Sequence, residues 1–165
     1  EWSEKRNGGR NELRTQRLVS SGGVIFRQSD GQYEVALIYT GRNWGLPKGL
    51  IEKAETAEET ALREGREETG LEGEMVKKIG KISCSFTRRK RYSKTVHFYL
   101  LKYVGGSLQD HDYEVAKVKW FPISKAIQTV TYTSEREILK KARNILGGET
   151  NSRKPPVGNA PAHRN

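Results

Sequence analysis

The segment ALREGREETGL, residues 61–71, contains three glutamates in a stretch of five residues. If this segment is helical, Glu64, Glu67 and Glu68 share one face, because residues three and four apart are neighbours on a helix. Like charges at that spacing repel each other, so the cluster costs stability unless a cation lies among the carboxylates. Mg²⁺ and Mn²⁺ prefer such oxygen ligands. The cluster therefore predicts a divalent metal site, with Arg63 holding one carboxylate by a charge-assisted hydrogen bond.

The residues upstream decide between a metal site and an ordinary solvent-exposed acidic helix. Five residues separate Gly49 from Glu55, and seven more separate Glu55 from Arg63. With the following residues to Leu71, the pattern resembles the Nudix box, G-x5-E-x7-R-E-U-x-E-E-x-G-U, where U is a bulky aliphatic residue. Eight of the nine defined positions match. Gly65 stands where the family has an aliphatic residue, and we expect another side chain or the sheet backbone to fill that space.

The resemblance implies a reaction and a role for each residue of the box. Family members hydrolyse a pyrophosphate bond in a nucleoside diphosphate linked to another moiety, using Mg²⁺ or Mn²⁺ and activated water. Glu64 and Glu67 would act in catalysis, Arg63 would orient the carboxylates, and Glu55 would support them. The implied metal ligands are three carboxylates and one backbone carbonyl: Glu64, Glu67, Glu68 and Lys48.

The general base is a separate question, because in this family it comes either from the box or from a later loop. An acidic residue of QDHDYEV, residues 109–115, could take the proton from the attacking water. We favour Glu114, six residues before Trp120, over Asp110 and Asp112. An ordinary glutamate at a strand edge accounts for Glu114 equally well.

Two further segments bear on the substrate, which the box does not specify. NWGLPKG, residues 43–49, resembles a segment of hydrolases acting on dinucleoside polyphosphates and on diphosphoinositol polyphosphates. RRKRYSK, residues 88–94, is interpreted as a basic loop and resembles diadenosine polyphosphate hydrolases. Its cations would face a long phosphate chain, and a tyrosine would stack on a purine. The predicted substrate-binding residues are Lys48, Arg88, Arg89, Arg91, Tyr92, Lys94 and Tyr132.

The leading prediction is hydrolysis of a diadenosine polyphosphate, from Ap4A to Ap6A, giving ATP and a second nucleotide. Other enzymatic alternatives are a nucleotide-pool-sanitising triphosphate pyrophosphatase, a diphosphoinositol polyphosphate hydrolase and an RNA 5′ pyrophosphohydrolase. A non-catalytic RNA-binding module is a different class of function. The intact acidic cluster argues against that class, because a pure binder has no need of mutually repelling carboxylates.

Composition narrows the class of protein further. The 165 residues carry a net charge of +10, which favours an anionic partner, and RNA is a candidate for the basic ends of the chain. The single cysteine, Cys84, excludes an internal disulfide and a cysteine-based zinc site. No apolar run is long enough to span a membrane, so we expect a cytoplasmic protein without membrane contact. The oligomeric state is left open.

Hydrophobic patterning predicts the elements that must position the acidic cluster. A capping box of Thr56 and Glu59 opens its helix, and Gly70 closes it. Strands are predicted at 20–28, 33–41, 75–86, 94–104 and 116–123, and a last helix at 134–146 opens with Ser134 and ends at Gly147. The order predicts an α/β/α sandwich with a mixed central sheet and flanking helices. The predicted divisions are a basic extension at 1–18, the domain at 19–146 and a flexible basic tail at 147–165.

Overall fold

Four strands precede the first helix of the chain, three more strands follow it, and two helices end the described part. The computed structural model describes residues 14–153, with side chains described as far as Gly148. Its elements are β1 (Gln16–Ser29), β2 (Gln32–Tyr39), β3 (Trp44–Gly45), β4 (Lys48–Leu50), α1 (Ala57–Thr69), β5 (Leu71–Arg88), β6 (Lys90–Gly106), a 3₁₀ turn (Leu108–Asp110), β7 (Lys117–Pro122), α2 (Ile123–Thr129) and α3 (Thr133–Arg153).

The strands form one mixed sheet with helices on both faces. The main order is β3-β2-β1-β6-β5, with β4 added to β1 and β7 added to β2. The pairing of β1 with β6 is parallel, and the other pairings are antiparallel. Alternation along β1 separates two cores, because Val24 joins the cluster containing α2 and α3 while Ile25 joins the cluster beneath α1. The predicted α/β/α sandwich is confirmed.

The helix α1 begins and ends where the sequence predicts. The Thr56 hydroxyl accepts from the Glu59 backbone N–H at 3.1 Å, and the Glu59 carboxylate accepts from the Thr56 N–H at 2.9 Å. Gly70 ends the helix in the left-handed region at φ 79°, and its N–H donates to the Arg66 carbonyl at 2.8 Å. An N-terminal cap such as that of Thr56 stabilises a helix by about 1 kcal/mol.

The basic segment 88–94 is part of a long hairpin, and its interpretation as a loop is wrong. Strand β5 runs to Arg88, Arg89 makes the turn at φ 64°, and β6 begins at Lys90. Cross-strand contacts extend the ribbon, because the rings of Phe86 and Tyr92 stack at 5.0 Å. Strand β1 supports the same ribbon by pairing with β6 from Gln16, which lies inside the predicted N-terminal extension.

The last helix also differs from its prediction at both ends. Helix α3 begins at Thr133, so Ser134 lies within its first turn, and it continues past Gly147 and Gly148 to Arg153. Neither glycine has a positive φ, so neither forms the left-handed turn that ends a helix. The predicted end at Gly147 is therefore wrong. Helix α2 was not predicted. Residues 1–13 and 154–165 of the predicted extension and tail lie outside the described residues.

Among the helices in residues 14–153, none combines the length and hydrophobicity that crossing a bilayer requires.

Candidate active site

Helix α1 packs on the sheet through small and threonine side chains, while Glu64 and Glu68 lie beside strand β4. The buried side of the helix consists of Thr60, Ala61, Gly65 and Thr69. A Cβ atom at Gly65 would lie 3.2 Å from Cδ1 of Ile25 and 3.7 Å from Cδ1 of Leu101. These two sheet residues therefore occupy the volume that an aliphatic residue would need, as expected for the one departure from the box.

Arg63 organises the acidic cluster. Its Nε donates to Glu55 Oε2 at 2.6 Å and its Nη2 donates to Glu55 Oε1 at 3.0 Å, so the pairing is bidentate. The Arg63 hydrogen bond, followed by one from the Thr60 hydroxyl, lowers the pKa of Glu55 to about 2. The same pairing raises the pKa of Arg63. Both groups are therefore charged throughout the neutral range.

Arg63 also contacts two of the predicted metal ligands. Its Nη1 donates to Glu64 Oε2 at 2.9 Å and to Glu67 Oε1 at 3.2 Å. Glu64 is half-buried against β4, and a Cβ atom at Gly49 would coincide with its carboxylate. The glycine of the box therefore makes room for a glutamate of the box. Burial raises the pKa of Glu64 despite the nearby guanidinium.

Glu68 is a largely buried carboxylate beside strand β4. Its Oε1 accepts from the Lys48 backbone N–H at 2.9 Å. The pKa of Glu68 is raised to about 7, chiefly by burial and also by the charges of Glu64 and Asp112, against the lowering effects of that hydrogen bond and of the Lys48 charge. A cation bound beside this carboxylate would relieve both the desolvation and the repulsion.

Lys48 connects the carboxylates to the opposite side of the fold. While its backbone N–H contacts Glu68, its ammonium pairs with Glu135 Oε2 at 3.2 Å. Glu135 lies in the first turn of α3, is only 4% exposed, and accepts from the Leu46 N–H at 2.9 Å. Sequence reasoning missed Glu135. Its signal was a glutamate in the first turn of a helix, a position that is common for purely electrostatic reasons.

A cavity of about 450 Å³ opens beside the Lys48–Glu135 pair. One wall is apolar and aromatic and includes Trp44 and Phe98, while Lys94 and Tyr132 supply polar groups. The Asn43 amide donates to the Tyr132 hydroxyl at 3.1 Å, and both residues line the cavity. Of the predicted substrate-binding residues, the structure brings three together at this cavity: Lys48, Lys94 and Tyr132.

The remaining predicted binding residues lie farther along the hairpin. Tyr92 precedes Lys94 by two residues on β6 and lies closer to the turn of the hairpin. Arg88, Arg89 and Arg91 lie at the turn itself. None of these four lines the cavity. Their contact with the substrate stays a prediction.

The loop after β6 packs on the C-terminal end of α1. The Asp112 N–H donates to the Glu67 carbonyl at 2.7 Å, and the Ser107 N–H donates to the Gly70 carbonyl at 3.1 Å. Asp112 is close enough to Glu68 for its charge to raise the pKa of that carboxylate. Glu114 is exposed in the following turn. A catalytic role for Glu114 stays a prediction.

The residues present fit a divalent ion. Glu64, Glu67 and Glu68 supply hard oxygen donors, and burial opposes the ionised forms of Glu64 and Glu68 in the absence of a cation. Within the described residues no three His, Cys, Asp or Glu side chains already converge on one point. Glu64 and Glu67 instead accept hydrogen bonds from Arg63.

The fold and this acidic helix together define a Nudix domain. A family model described as the NUDIX domain matches residues 17–142, and the chain belongs to that family. Nudix hydrolases act on phosphorus-containing anhydrides, and they generally use divalent ions such as Mg²⁺. The predicted family is confirmed.

Relatives place the chain near several kinds of Nudix protein. It is 41% identical over 84% of its length to the predicted mutator protein MutT4 of Mycobacterium tuberculosis, and spans 59% of that relative. It is 32% identical over 66% of its length to an 8-oxo-(d)GTP phosphatase of Mycolicibacterium smegmatis, spanning 33% of it. An asymmetrical bis(5′-nucleosyl)-tetraphosphatase of Caenorhabditis elegans is 26% identical over 79% of the chain and is spanned over 98% of its length.

Solved structures agree on the fold. The NUDIX domain of Shewanella oneidensis NrtR, solved with ADP ribose, superposes with a TM-score of 0.64 at 23% identity. The match covers 82% of this chain and 92% of that domain.

Proposed function

We propose that the protein hydrolyses a pyrophosphate bond of a diadenosine polyphosphate, with one nucleoside in the cavity beside Trp44. The observation that carries this proposal is the position of Lys48. Its backbone contacts the acidic cluster and its side chain reaches the cavity, so a nucleoside there would direct its phosphates towards the carboxylates of α1. The bis(5′-nucleosyl)-tetraphosphatase relative supports the substrate class.

Different residues of the site would bind the metal ion, contact the phosphates and transfer the proton. Glu64, Glu67, Glu68 and the Lys48 carbonyl would hold Mg²⁺ or Mn²⁺, which supplies neutralisation of phosphate charge and acidification of water when bound. Arg63 holds the carboxylates in position through the contacts described above. Lys94 lines the cavity and would contact the phosphate chain. Glu114 is the proposed general base, and Asp112, whose charge acts on Glu68, is the alternative in the same loop.

A second candidate substrate is an oxidised purine nucleoside triphosphate. The similarity to an 8-oxo-(d)GTP phosphatase and to a mutator protein favours it. One nucleoside is enough to occupy a cavity of about 450 Å³, and such a substrate would not require a second binding position along the hairpin. The two candidates therefore differ in whether the hairpin residues 88–92 contribute to the Michaelis constant.

Turnover of a defined substrate panel with Mg²⁺ tests the proposal. The panel contains Ap4A to Ap6A, 8-oxo-dGTP, dGTP, a diphosphoinositol polyphosphate, ADP-ribose and 5′-triphosphate RNA. Glu67→Gln should reduce turnover by at least 10²-fold, because it removes a charged ligand from the metal site. Glu58→Gln is the matched control, since it removes one exposed carboxylate from the same helix.

The product pattern separates the candidates. Release of ATP from Ap4A at a kcat/KM well above that for 8-oxo-dGTP supports the diadenosine substrate. Preferred release of pyrophosphate from 8-oxo-dGTP, relative to dGTP, supports the second candidate and removes the first. Preferred turnover of any other panel member, or equal activity of Glu67→Gln and Glu58→Gln, contradicts both.

A further inference from the structure

The β5–β6 hairpin at one edge of the sheet carries a run of positive charge. Residues 75–109, which comprise most of β5 and β6, contain nine Lys and Arg residues and no Asp or Glu. Among residues 14–148, none of these nine cations forms an ion pair with a carboxylate. Unneutralised charge at this density is unfavourable for folding by itself and is suited to binding a polyanion.

The turn of the β5–β6 hairpin contains two adjoining recesses of different character. The larger, of about 660 Å³, is lined by polar and cationic residues including Arg14, Arg89, Lys90 and Arg91. The smaller, of about 290 Å³, includes Phe86 and Tyr92. Thr15, Thr87 and Arg91 line both recesses, so the two form a continuous surface. We name this surface, residues 14–16 with 85–92, the hairpin tip.

The aromatic recess has the geometry of a stacking platform. The rings of Phe86 and Tyr92 lie 5.0 Å apart and are inclined by only 15°. The Arg88 guanidinium lies 6.0 Å from the Phe86 ring centroid. Phe86 remains 38% exposed, although a ring of its size would ordinarily be covered more completely.

We propose that the hairpin tip binds single-stranded nucleic acid. A base would stack at the Phe86–Tyr92 recess, and the adjacent backbone phosphates would lie in the recess formed by Arg14, Arg89 and Arg91. Proteins that bind single strands without strict sequence preference combine these same two features, a cationic groove and exposed aromatic rings. This surface is separate from the cavity beside Trp44, with which neither recess shares a lining residue.

The chemistry of the tip favours a nucleic acid over an anionic membrane. Phe86 is the one large hydrophobic side chain exposed at the tip among the described residues. Its ring is already stacked on Tyr92, and the recess around it is otherwise polar, with Ser85 and Thr87. A membrane-binding surface would instead present several apolar side chains for insertion.

Binding of a fluorescein-labelled 12-nucleotide oligo(U) or oligo(dT) tests the proposal by anisotropy. Both oligonucleotides carry a 5′-hydroxyl and the buffer contains EDTA, so neither is a substrate of the active site. Tyr92→Ala should weaken binding roughly tenfold, because one base loses its stacking partner. Tyr92→Phe keeps the ring and should restore the wild-type affinity. Comparison of the two oligonucleotides shows whether RNA and DNA are distinguished.

Salt dependence provides the second measurement. The triple variant Arg88→Gln/Arg89→Gln/Arg91→Gln should reduce the slope of log K against log salt by about 2, since each lost phosphate contact on a single strand contributes about 0.7. The matched control, Lys125→Gln/Lys140→Gln/Arg143→Gln, removes the same charge from α2 and α3 and should leave the slope unchanged. Circular dichroism and urea titration of every variant confirm the fold.

Three results would overturn the proposal. One is equal weakening by the two triple variants, which would indicate a long-range charge effect. Another is unchanged affinity of Tyr92→Ala. The third is absence of oligonucleotide binding, including the case in which only phosphatidylserine vesicles bind. Glu67→Gln should bind the oligonucleotide like the wild type, so loss of hydrolysis in that variant and loss of binding at the tip remain distinguishable.

Discussion

Glu68 provides a quantitative test of the electrostatics of the acidic cluster. The pKa of this carboxylate is raised from an ordinary 4.5 to about 7, mainly by burial. Because the pKa of Glu68 is higher in the folded state than in the unfolded state, the folded state keeps this proton to a higher pH. The metal-free protein should therefore lose stability as the pH rises from about 4.5 through 7, and this loss should be complete above 7.

The size of the effect follows from the two pKa values. A difference of about 2.5 units corresponds to about 3 kcal/mol when the carboxylate is fully ionised, and between pH 5 and pH 8 the wild type should lose roughly 2 to 3 kcal/mol through this group. Glu68→Gln cannot ionise but its amide oxygen can still accept from the Lys48 N–H. The variant should lack this component of the pH dependence and be the more stable protein at pH 8 without metal.

Urea titration in EDTA at pH 5 and pH 8 measures both quantities, with Glu58→Gln as the matched carboxylate deletion. Added Mg²⁺ should stabilise the wild type at pH 8 far more than Glu68→Gln. If wild type and Glu68→Gln lose the same stability between the two pH values, the inference that burial raises this pKa is wrong.

Three further perturbations test the supports of the site. Gly65→Ala gains about 1 kcal/mol of helix propensity but places its Cβ 3.2 Å from Ile25, so its free energy of unfolding in urea should change by less than about 1 kcal/mol. Gly65→Leu overpacks the same space and should lose about 1 to 3 kcal/mol. The lowered pKa of Glu55 contributes stability that is fully present above pH 4.5 and is lost as the pH falls to about 2. Arg63→Lys breaks the bidentate pairing and should therefore reduce the change in unfolding free energy between these two pH values. An unchanged pH dependence would contradict the role of Arg63 in lowering this pKa. Glu135→Ala leaves a buried backbone N–H unpaired and should cost about 1 to 3 kcal/mol in thermal or urea unfolding, while Glu135→Gln should recover part of that loss.

The sequence was most informative where one residue determines a local interaction. Thr56, Glu59 and Gly70 fix α1 through short-range caps, so the predicted helix bounds agree with the structure. The acidic face and Arg63 follow from helical periodicity in the same way. Segment 88–94 was interpreted as a loop from its charge alone. Its strand conformation depends on Phe86 across the hairpin and on pairing with the distant strand β1, which its own sequence does not indicate.

A long-range contact also explains why Glu135 was missed. The pairing of Lys48 with Glu135 joins strand β4 to helix α3, which is distant in the chain, and no local pattern encodes it. The early end assigned to α3 has a different cause. Gly147 and Gly148 lower helix propensity without forming the left-handed turn that would stop the helix.

The parallel pairing of β1 with β6 has a consequence for the order of folding. Helix α1 rests on Ile25 and Leu101, which are Cα partners in the register although they lie more than seventy residues apart in the chain. Such a non-local contact closes a long loop before its packing energy is recovered, and topologies of this kind fold slowly. The short-range caps can hold a nascent helix early, but its platform is complete only after β6 has been synthesised. During translation, the acidic helix must therefore wait for most of the domain to emerge before it can acquire its final position.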